Sequence, residues 1–422
     1  MAQRYDTYKD SGVQWLGEIP GHWGCVRLNK LASLKTGTTP KFFENALNED
    51  TIDWYTPSDF TEEFFLHDSQ RRLNRIDFDV CGLNYVPSNS VLIIGIGGTA
   101  GKVACNKNEC YSNQQITSLI PNERMYHLYM MLYFKSIRNI LLETAHYTTL
   151  PILNNSFLAG VSLPLPPLSE QRAIVSFLDD KCGKIDEWIE KKQKEVELLG
   201  EMKQRVIADA VTRGLNPNVK MKQTNIPWLP EVPEHWEMSK VSSHFRQRNE
   251  KVSDKDYPAL SVSKQGVTPQ LDNVALSNAE GASRKLVKVG DYAVNSRSDR
   301  KGSCGVSKYE GSVSLITIVL EPFGIDCDYV HHLFRSKPWV EEFYRNGRGI
   351  VADLWTTNYQ MMKGMYFPVP PLSEQHAIVS YITERTAKID KLVENVNREI
   401  ENLKEYKQRL ISDVVTGQIK VC

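Results

Sequence analysis

Apolar residues recur at steps of three, four and seven along two long stretches of the chain, where Glu and Lys fill most other positions. The recurring positions are Ile185, Ile189, Val196, Leu199, Val206 and Ala210 in the first stretch, and Ile389, Val393, Val396, Ile400, Leu403, Leu410 and Val414 in the second. This spacing predicts two helices, each with an apolar seam on one side, and Lys192 interrupts the first seam. Because neither helix is apolar all round, we expect them to pack on each other as a coiled coil. Residues 181–212 would then span on the order of 45 Å at about 1.5 Å per residue.

The two stretches belong to a long internal repeat. Residues 166–171 read Pro-Pro-Leu-Ser-Glu-Gln, residues 370–375 read the same, and about half the positions between 166 and 212 are identical to their partners 204 residues later. A period near 200 is too long for a solenoid and indicates a duplicated module. The prolines predict an extended approach to each helix, and Ser169 and Ser373 are predicted to cap the helices. A charged amphipathic helix in an ordinary bundle is the alternative interpretation.

A second repeated motif precedes each of two variable blocks. Residues 15–23 read Trp-Leu-Gly-Glu-Ile-Pro-Gly-His-Trp, and residues 228–236 read Trp-Leu-Pro-Glu-Val-Pro-Glu-His-Trp. We expect this tryptophan motif to pack the start of each block onto its core, with structural roles for His22 and His235. The predicted domains are 1–165, a helical segment 166–215, a second domain 216–369 and a helical segment 370–422.

Each variable block has the pattern of a mixed α/β domain. The apolar run at residues 91–94 predicts a strand, and the glycine-rich residues 95–101 match Gly-x-Gly-x-x-Ala. The following residues lack a helical period, so no helix N-terminus is expected to hold a pyrophosphate there. We therefore predict a glycine-rich hairpin rather than a dinucleotide site. Helices are predicted over Tyr126–Leu142 and, in the second block, over Tyr329–Tyr344.

Composition limits the classes of protein to consider. A chain of 422 residues can hold two to four domains, and it has no apolar run long enough for a membrane span. Its eight scattered cysteines, with no Cys-x-x-Cys pair, favour unpaired thiols in a reducing cytoplasm. Lysine plus arginine equals aspartate plus glutamate at 51 each, so any nucleic-acid binding must depend on local patches.

Basic residues cluster at a few places in each block. The strongest patch lies in residues 284–308, at the position that corresponds to the glycine-rich loop of the first block, and a polar turn follows at residues 344–349. Arginines beside Asn, Gln and Tyr suit contacts with phosphates and base edges, although such charges can also be ordinary solvated surface. The candidate DNA-binding residues are Arg71, Arg72, Arg75, Lys102, Arg284, Lys285, Arg297, Arg300, Lys301, Arg345 and Arg348.

Motifs for catalysis or metal binding are missing from the sequence. We find no His-Glu-x-x-His, Gly-x-Ser-x-Gly, Cys/His cluster or adenine-methyltransferase signature. Glu-x-Lys triplets such as residues 190–192 lie on the charged helix without an upstream acidic partner. The chain is therefore predicted to be a non-enzymatic recognition scaffold without a metal or catalytic residue.

The two Pro-Leu-Ser-Glu-Gln copies and the two tryptophan motifs resemble the specificity subunit of type I restriction–modification enzymes, over essentially the whole chain. The resemblance implies a mixed α/β fold in which two α/β target-recognition domains are separated by two long helices, packed as an antiparallel coiled coil with a pseudo-twofold repeat. Each block would read one half of a split double-stranded DNA sequence. The helices would act as a ruler and would help to dock two methyltransferase subunits.

The same resemblance implies that this chain binds no cofactor and makes no bond itself. S-adenosylmethionine would be used by the methyltransferase subunits, and ATP and Mg²⁺ by restriction subunits, in cytoplasmic host defence without a membrane partner. A spacer of about 45 Å suits half-sites about one DNA turn apart, since dimeric readers use ~34–36 Å. Because the blocks differ, we expect an asymmetric bipartite target.

Three other interpretations stay open at this point. The chain could be a coiled-coil scaffold that holds two protein-interaction domains and binds no DNA. It could be an enzyme, such as a nuclease or a fused methyltransferase, although the motifs argue against this. It could also be a silent or recombining specificity subunit, which the sequence does not distinguish from an active one.

Overall fold

The chain forms two compact units. Unit 1 comprises residues 1–192 and 398–422, and unit 2 comprises residues 193–397. Both boundaries fall inside the two long helices, so each unit contains part of each helix. The computed structural model describes residues 3–40, 51–61, 63–74, 84–145, 151–253, 255–270, 283–349 and 355–421.

Unit 1 is built on a four-stranded antiparallel sheet. The described strands of the whole unit are β1 (Tyr8–Asp10), β2 (Glu18–Pro20), β3 (Gly24–Arg27), β4 (Ala32–Thr36), β5 (Thr51–Tyr55), β6 (Arg72–Asn74), β7 (Val91–Ile94), β8 (Val103–Cys105), β9 (Cys110–Ser112), β10 (Ile116–Pro121) and β11 (Ser162–Leu165). Its shorter helices are α1 (His127–Ser136), α2 (Arg138–Thr144) and α3 (Asn155–Gly160). The main sheet has the order β4-β10-β7-β8, β5 lies between β6 and β9 in a second sheet, and β3 pairs with β11.

The fully buried strand β7 explains why the apolar run at residues 91–94 was recognisable. Successive side chains of a strand point to opposite faces. Val91 and Ile93 accordingly join the core that contains α1, and Leu92 and Ile94 join a smaller apolar cluster on the other face. β7 pairs antiparallel with β8, so residues 95–102 form the loop of a hairpin. The predicted glycine-rich hairpin is confirmed, and a strand rather than a helix follows it.

Unit 2 repeats this plan. The long helix α4 (Leu168–Arg213) leads into it, and the second long helix α8 (Leu372–Val415) follows it. Its strands are β12 (Met221–Ile226), β13 (Leu229–Pro233), β14 (Glu237–Lys240), β15 (Phe245–Gln247), β16 (Lys251–Ser253), β17 (Leu260–Ser263), β18 (Gly266–Pro269), β19 (Ser283–Val287), β20 (Tyr292–Asn295), β21 (Cys304–Val306), β22 (Gly311–Val313), β23 (Thr317–Pro322) and β24 (Tyr366–Val369). Its shorter helices are α5 (Cys327–Arg335), α6 (Lys337–Arg345) and α7 (Tyr359–Met362). Its four-stranded sheet has the order β15-β23-β20-β21, which corresponds strand by strand to the order β4-β10-β7-β8 in unit 1.

The two long helices pack antiparallel within each unit. In unit 1, Lys407 donates to both carboxylate oxygens of Asp186 at 2.6 Å, and Lys192 pairs with Glu399 at 2.8 Å. In unit 2, the equivalent pair is Lys203 with Asp390, at 2.6 Å. Residue numbers rise on one helix as they fall on the other, which confirms the predicted antiparallel coiled coil. Lys192 interrupts the apolar seam, but its charge is not left unpaired, because it forms an ion pair with Glu399 of α8.

The tryptophan motif meets the repeated Ser-Glu-Gln sequence at the start of each long helix. In unit 1, the buried Glu170 accepts hydrogen bonds from Trp23 Nε1 at 3.1 Å and from Tyr5 Oη, and its Oε2 lies 2.9 Å from His22 Nε2. We call this arrangement the glutamate clasp. The sequence repeated both motifs but gave no direct sign that they touch.

Unit 2 has its own glutamate clasp. Glu374 accepts from Trp236 Nε1 at 3.0 Å, and its Oε2 lies 2.8 Å from His235 Nε2. Trp236 is buried like its counterpart in unit 1. The contacts of both histidines agree with the structural role predicted for them.

The glutamine that follows each of these glutamates holds a second element. Gln171 accepts from the backbone N–H of Tyr126 at 2.8 Å, next to the start of α1. Gln375 accepts from the backbone N–H of Asp326 at 2.9 Å, next to the start of α5. Each long helix is therefore fixed to the first helix of its own α/β block.

The last residues of the chain complete unit 1. The backbone N–H of Lys420 donates to the carbonyl of Gln3 at 2.8 Å. Gly417 has a φ of +78°, and a Cβ there would lie 2.4 Å from Pro20 Cδ, so only glycine fits both the backbone and the space. Residues from both ends of the chain thus share one core.

Two local predictions were wrong. Ser169 and Ser373 do not cap the long helices, because each serine is already the second residue of its helix. The carbonyls of Pro167 and Pro371 accept the first hydrogen bonds of these helices instead. The helices predicted over Tyr126–Leu142 and Tyr329–Tyr344 are each two helices.

The breaks between these shorter helices have the same local contact. Ser136 Oγ donates to the carbonyl of Tyr133 at 2.7 Å, and Ser336 Oγ donates to that of Leu333 at 2.7 Å. Such local hydroxyl–carbonyl bonds compete with helix continuation. In unit 2, Pro338 follows the break and favours a new helix start.

Candidate nucleic-acid interface

Three polar segments converge at one place in unit 2, and we call them the arginine loop cluster. They are the β20–β21 loop at residues 296–303, the turn after α6 at residues 345–349 and the segment 355–358 before α7. The backbones of Arg348 and Thr356 exchange hydrogen bonds at 3.0 and 3.1 Å, and Arg297 forms a β-bridge with the same Thr356. The cluster is therefore a small backbone ladder rather than three independent loops.

Buried hydroxyl groups fix this ladder to the core below it. Tyr344 Oη donates to the carbonyl of Asn295 at 2.9 Å, and Thr357 Oγ1 donates to that of Phe343 at 2.9 Å. A Cβ on Gly347 would lie only 3.0 Å from the carbonyl oxygen of Tyr344, which favours glycine at this turn. The exposed side chains of the cluster thus project from a positioned backbone.

The predicted basic residues of this region lie on the cluster or beside it, and four of them form ion pairs at the surface. Arg297 contacts Asp299 at 3.0 Å, and Arg300 contacts the other oxygen of Asp299 at 3.6 Å. Arg345 pairs with Glu342 on α6, and Arg348 is exposed. Lys301 pairs with Glu341 at 3.1 Å. Exposed pairs of this kind contribute about 0–1 kcal/mol each, so a phosphate can displace the carboxylate at little cost.

Sequence reasoning missed one aromatic side chain in the cluster. Trp355 is 36% exposed and directly precedes Thr356 of the ladder. An exposed indole beside several arginines suits contact with sugar or base edges. The signal available in the sequence was its place next to the arginine-rich turn, which the search for charge alone did not weigh.

Arg284 and Lys285 lie instead within a sheet, on β19. Lys285 is buried and donates to the carbonyl of Thr317 at 2.8 Å, and burial lowers the pKa of its ammonium. Arg284 donates from Nε to Ser312 Oγ at 3.0 Å and from Nη2 to the carbonyl of that residue at 3.0 Å. These contacts brace the neighbouring strands and do not join the arginine loop cluster.

The corresponding loop of unit 1 has the same frame with different side chains. Ile96 of the glycine-rich loop forms a β-bridge with Ile152, and the N–H of Leu153 donates to the carbonyl of Gly95 at 2.8 Å. Ile96 and Ile152 are 39% and 42% exposed, where unit 2 presents arginine and threonine. The two units therefore offer different chemistry at equivalent loops.

The predicted basic residues of unit 1 lie at two places. Arg71 and Arg72 lie at β6, where Arg71 stacks over the Trp54 ring at 5.7 Å and Arg72 donates to Asp53 at 3.0 Å. Lys102 is half-buried at the end of the glycine-rich loop. Arg75 lies outside the described residues.

The described residues offer no evident centre for chemistry. They bring together no group of three His, Cys, Asp or Glu side chains that could hold a metal ion. No helix among them is both long enough and apolar enough to cross a membrane.

Comparison with known proteins agrees with this picture. Residues 20–198 match the family model described as type I restriction modification DNA specificity domain. Across 427 aligned residues the chain is 22% identical to the type I restriction enzyme MjaVIII specificity subunit of Methanocaldococcus jannaschii, over 96% of this chain and 94% of the relative. It is also 22% identical to the EcoDI specificity subunit of Escherichia coli, over 96% of this chain and 90% of the relative.

Residues 20–198 thus carry a type I restriction modification DNA specificity domain, and over nearly its whole length the chain is similar to type I specificity subunits. Specificity subunits are the non-catalytic members of these systems, and the enzymatic activity lies in partner subunits. This similarity agrees with the prediction that this chain is not itself an enzyme.

Two solved structures share the fold of this chain. One belongs to a study of complex assembly and conformational transition of the type I R-M system, with a TM-score of 0.66 and 14% identity over 94% of this chain and 98% of that chain. The other is the HsdS subunit from Thermoanaerobacter tengcongensis, with a TM-score of 0.54 and 15% identity over 95% of this chain and 98% of that chain. At these identities the likeness concerns the fold, which confirms the predicted mixed α/β architecture with two long helices.

Proposed function

We propose that this chain is the specificity subunit of a type I restriction–modification system and reads a bipartite, asymmetric DNA target, with one target-recognition domain in residues 1–165 and the other in 216–369. The observation that supports this most directly is that the two units share a backbone bridge at the same place in the fold but carry different side chains there. The Ile96–Ile152 bridge and the Arg297–Thr356 bridge occupy equivalent places in the two units. Equivalent frames would meet DNA in the same way, while different side chains at base edges would select different sequences.

The arginine loop cluster is the part of unit 2 that we propose to contact DNA. Guanidinium groups bind guanine edges and phosphates in bidentate fashion. Arg297 and Arg300 share one carboxylate, Asp299, so together they keep an excess of positive charge. Arg345 and Arg348 add to this positive charge from the neighbouring turn. In unit 1, we propose that DNA is contacted by Arg71, Arg72, Arg75 and Lys102. The contacts of Arg284 and Lys285 favour a supporting role for these two.

We also propose that α4 and α8 set the gap between the half-sites. The helices are continuous over 46 and 44 residues, or about 65–70 Å at about 1.5 Å per residue. A paired helix holds its length, whereas a flexible linker would not fix a gap. Residues 166–215 and 370–422 would act as this spacer.

The long helices also offer docking surfaces for two methyltransferase subunits. Trp188 follows Asp186 by two residues and is 60% exposed, and Tyr406 directly precedes Lys407, the ion-pair partner of Asp186, and is 57% exposed. Repetition of the sequence places Leu392 and Met202 at the equivalent positions beside the ion pair of unit 2, where they are 50% and 54% exposed. Large apolar side chains exposed at equivalent sites indicate a repeated interaction surface. We propose that each couple docks one methyltransferase subunit.

The chemistry would then reside in the assembled complex. We propose that the methyltransferase subunits bind S-adenosylmethionine, and that restriction subunits bring ATP and Mg²⁺, so that this chain supplies recognition only. Methylation of the chromosome would take place in the cytoplasm.

Genome-wide mapping of N6-methyladenine tests the proposed function. This chain is expressed with its methyltransferase subunit in a methylation-free host, and the host DNA is sequenced by a method that detects the base. We expect a two-part motif with a fixed gap that disappears when this chain is deleted. A complex that assembles but neither methylates nor binds DNA in a salt-dependent way would favour the scaffold interpretation instead.

Substitution of the arginine loop cluster should affect one half of the motif. We expect Arg297→Ala or Arg300→Ala to cost about 1–3 kcal/mol and to relax one position of a single half-site, because a base-contacting arginine loses its bidentate bonds. The measurement is the methylation motif of each variant. Lys363→Ala changes an exposed lysine of the same unit outside the cluster and should leave the motif unchanged. Equal weakening on all sequences would instead make these arginines phosphate contacts.

Substitution of one apolar couple should remove one methyltransferase subunit. We expect the double variant Trp188→Ser, Tyr406→Ser to weaken binding at unit 1 about 100-fold, since large aromatic side chains dominate interfaces. Native mass spectrometry should then find one methyltransferase subunit per chain in place of two. The control variant Lys191→Ser, Glu405→Ser changes exposed neighbours, and retention of both subunits in the test variant would contradict the proposed surface.

A further inference from the structure

A cationic cleft with a volume of about 550 Å³ lies in unit 2. Its walls are α5, the turn between β17 and β18, the end of the β20–β21 loop, and the parts of α4 and α8 that belong to this unit. Among the described residues that line it, none is acidic. Its four cationic side chains are Lys203, Lys264, Lys301 and Arg335.

Acidic partners outside the cleft neutralise two of these charges. Lys203 pairs with Asp390, and Lys301 pairs with Glu341. The excess positive charge of the cleft therefore resides on the exposed Lys264 and on Arg335. Arg335 Nη2 donates to the carbonyl of Lys264, which holds the guanidinium beside the turn that bears this lysine.

The neighbouring histidine is neutral and keeps an unmatched donor. Arg335 Nη1 donates to His331 Nε2 at 3.3 Å, so the ring proton lies on Nδ1. Burial, together with the charge of Arg335, lowers the pKa of His331 to about 4. Nδ1 of His331 is buried and has no hydrogen-bond partner among the described residues. A buried donor without an acceptor is unfavourable.

The equivalent region of unit 1 can be located through the glutamine contacts. Gln171 binds the N–H of Tyr126 as Gln375 binds that of Asp326, so α1 corresponds to α5 at an offset of 200 residues. The long helices correspond at an offset of 204 residues. Each residue that lines the cleft on these helices therefore has a defined counterpart.

Unit 1 has apolar side chains at two of the corresponding positions. Met131 takes the place of His331, and Ile411 takes the place of Ile207. Met131 and Ile411 are buried in the core of unit 1, with Phe64 packed against it, whereas Ile207 is only partly buried. In unit 1, helix and domain thus meet through buried apolar side chains at these two positions, whereas the same positions in unit 2 line the cationic cleft.

We propose that the cleft of unit 2 binds a phosphate group between Arg335 and Lys264. A guanidinium and an ammonium together match the charge and the oxygen donors of a phosphate. The cleft lies within the size range of small-molecule sites, about 300–1,000 Å³, so it has room for a nucleotide as well as for one phosphate of a DNA backbone. The inference does not depend on base reading by the arginine loop cluster.

Titration of the full-length chain with tripolyphosphate tests the inference. Isothermal titration at low salt should give saturable binding with one site per chain. We expect Arg335→Gln to weaken this binding about tenfold or more, and Lys264→Ala about threefold, because each removes a charge-assisted contact. Lys135→Ala changes the counterpart of Arg335 in unit 1 and should leave binding unchanged. If Arg335→Gln lowers the melting temperature, the test depends on Lys264→Ala, because substitution of the exposed Lys264 should not affect folding.

A short DNA duplex of random sequence then distinguishes the two sources of phosphate. If the duplex competes with tripolyphosphate and itself binds less tightly to Lys264→Ala, the natural ligand is the DNA backbone. If tripolyphosphate binds and the duplex does not compete, the ligand is a free phosphate compound such as a nucleotide. Absence of saturable binding, or equal binding by the wild type and both cleft variants, would overturn the proposal whatever DNA motif the complex recognises.

Discussion

Replacement of Glu170 by alanine should lower the free energy of local opening at the start of α4 by about 3–5 kcal/mol. The substitution removes the carboxylate that accepts from Trp23 Nε1 and Tyr5 Oη, and loss of a buried acceptor costs about 1–3 kcal/mol per hydrogen bond. Loss of the contact with His22 adds to this. Hydrogen exchange of the peptides around β3 and the first turns of α4 should therefore become about 100- to 5,000-fold faster.

The two glutamate clasps provide a matched comparison. Glu374 has 25% of its side chain exposed against 8% for Glu170, and its contacts are with the tryptophan and the histidine. We expect Glu374→Ala to cost about half as much, and only in unit 2. Glu170→Gln keeps an acceptor for Trp23 and should cost about 1 kcal/mol. Equal acceleration by Glu170→Ala and Glu170→Gln would contradict the importance of the buried acceptor.

Lengthening both long helices by four residues should change the gap in the DNA target and leave both half-sites intact. One insertion lies between Lys194 and Glu195 of α4. The other lies opposite, between Asn397 and Arg398 of α8, because the Asp186–Lys407 and Lys203–Asp390 pairs fix the antiparallel register on either side. Four residues add about 6 Å at about 1.5 Å per residue, which is about two base pairs at about 3.4 Å each.

Methylation mapping measures this change directly. The original target should lose its methylation, and the same two half-sites should appear with a gap about two base pairs longer. A variant in which Lys194 and Glu195 are replaced by alanine keeps the helix length and should keep the original gap. An unchanged gap in the lengthened protein would refute the ruler, and an altered half-site would point to damage in a recognition domain.

Periodicity and repetition were sufficient to predict the helical spacer. The seam residues Ile389, Val396 and Ile400 are buried as expected, because one apolar stripe can face only one partner. The hairpin at residues 95–102 was also predictable. The apolar run before it favours a strand, and the residues after the glycines lack the period of a helix, so a second strand was the simplest continuation. Fine detail at helix starts was not predictable, because Pro167 and Ser169 both offer an acceptor and only the backbone path decides between them.

The candidate site was predictable only as a region. Local charge placed Arg297 and Arg348 in loops, and the structure brings both to Thr356. Local charge could not separate them from Lys285, whose acceptor is the carbonyl of Thr317, 32 residues further along the chain. Burial of a lysine depends on such distant contacts, so a count of basic residues overestimates the surface available to DNA.

Completion of unit 1 by the last residues of the chain has a consequence for biosynthesis. Leu410, Ile411, Val414 and Val415 belong to the core of unit 1, whereas unit 2 is one uninterrupted segment. During translation at about 5–20 residues per second, unit 1 can therefore complete its core only after residues 398–422 have been made, and unit 2 can fold before it. A premature stop codon near residue 398 would then spare the later domain and damage the earlier one, with its unfilled apolar surface left to chaperones.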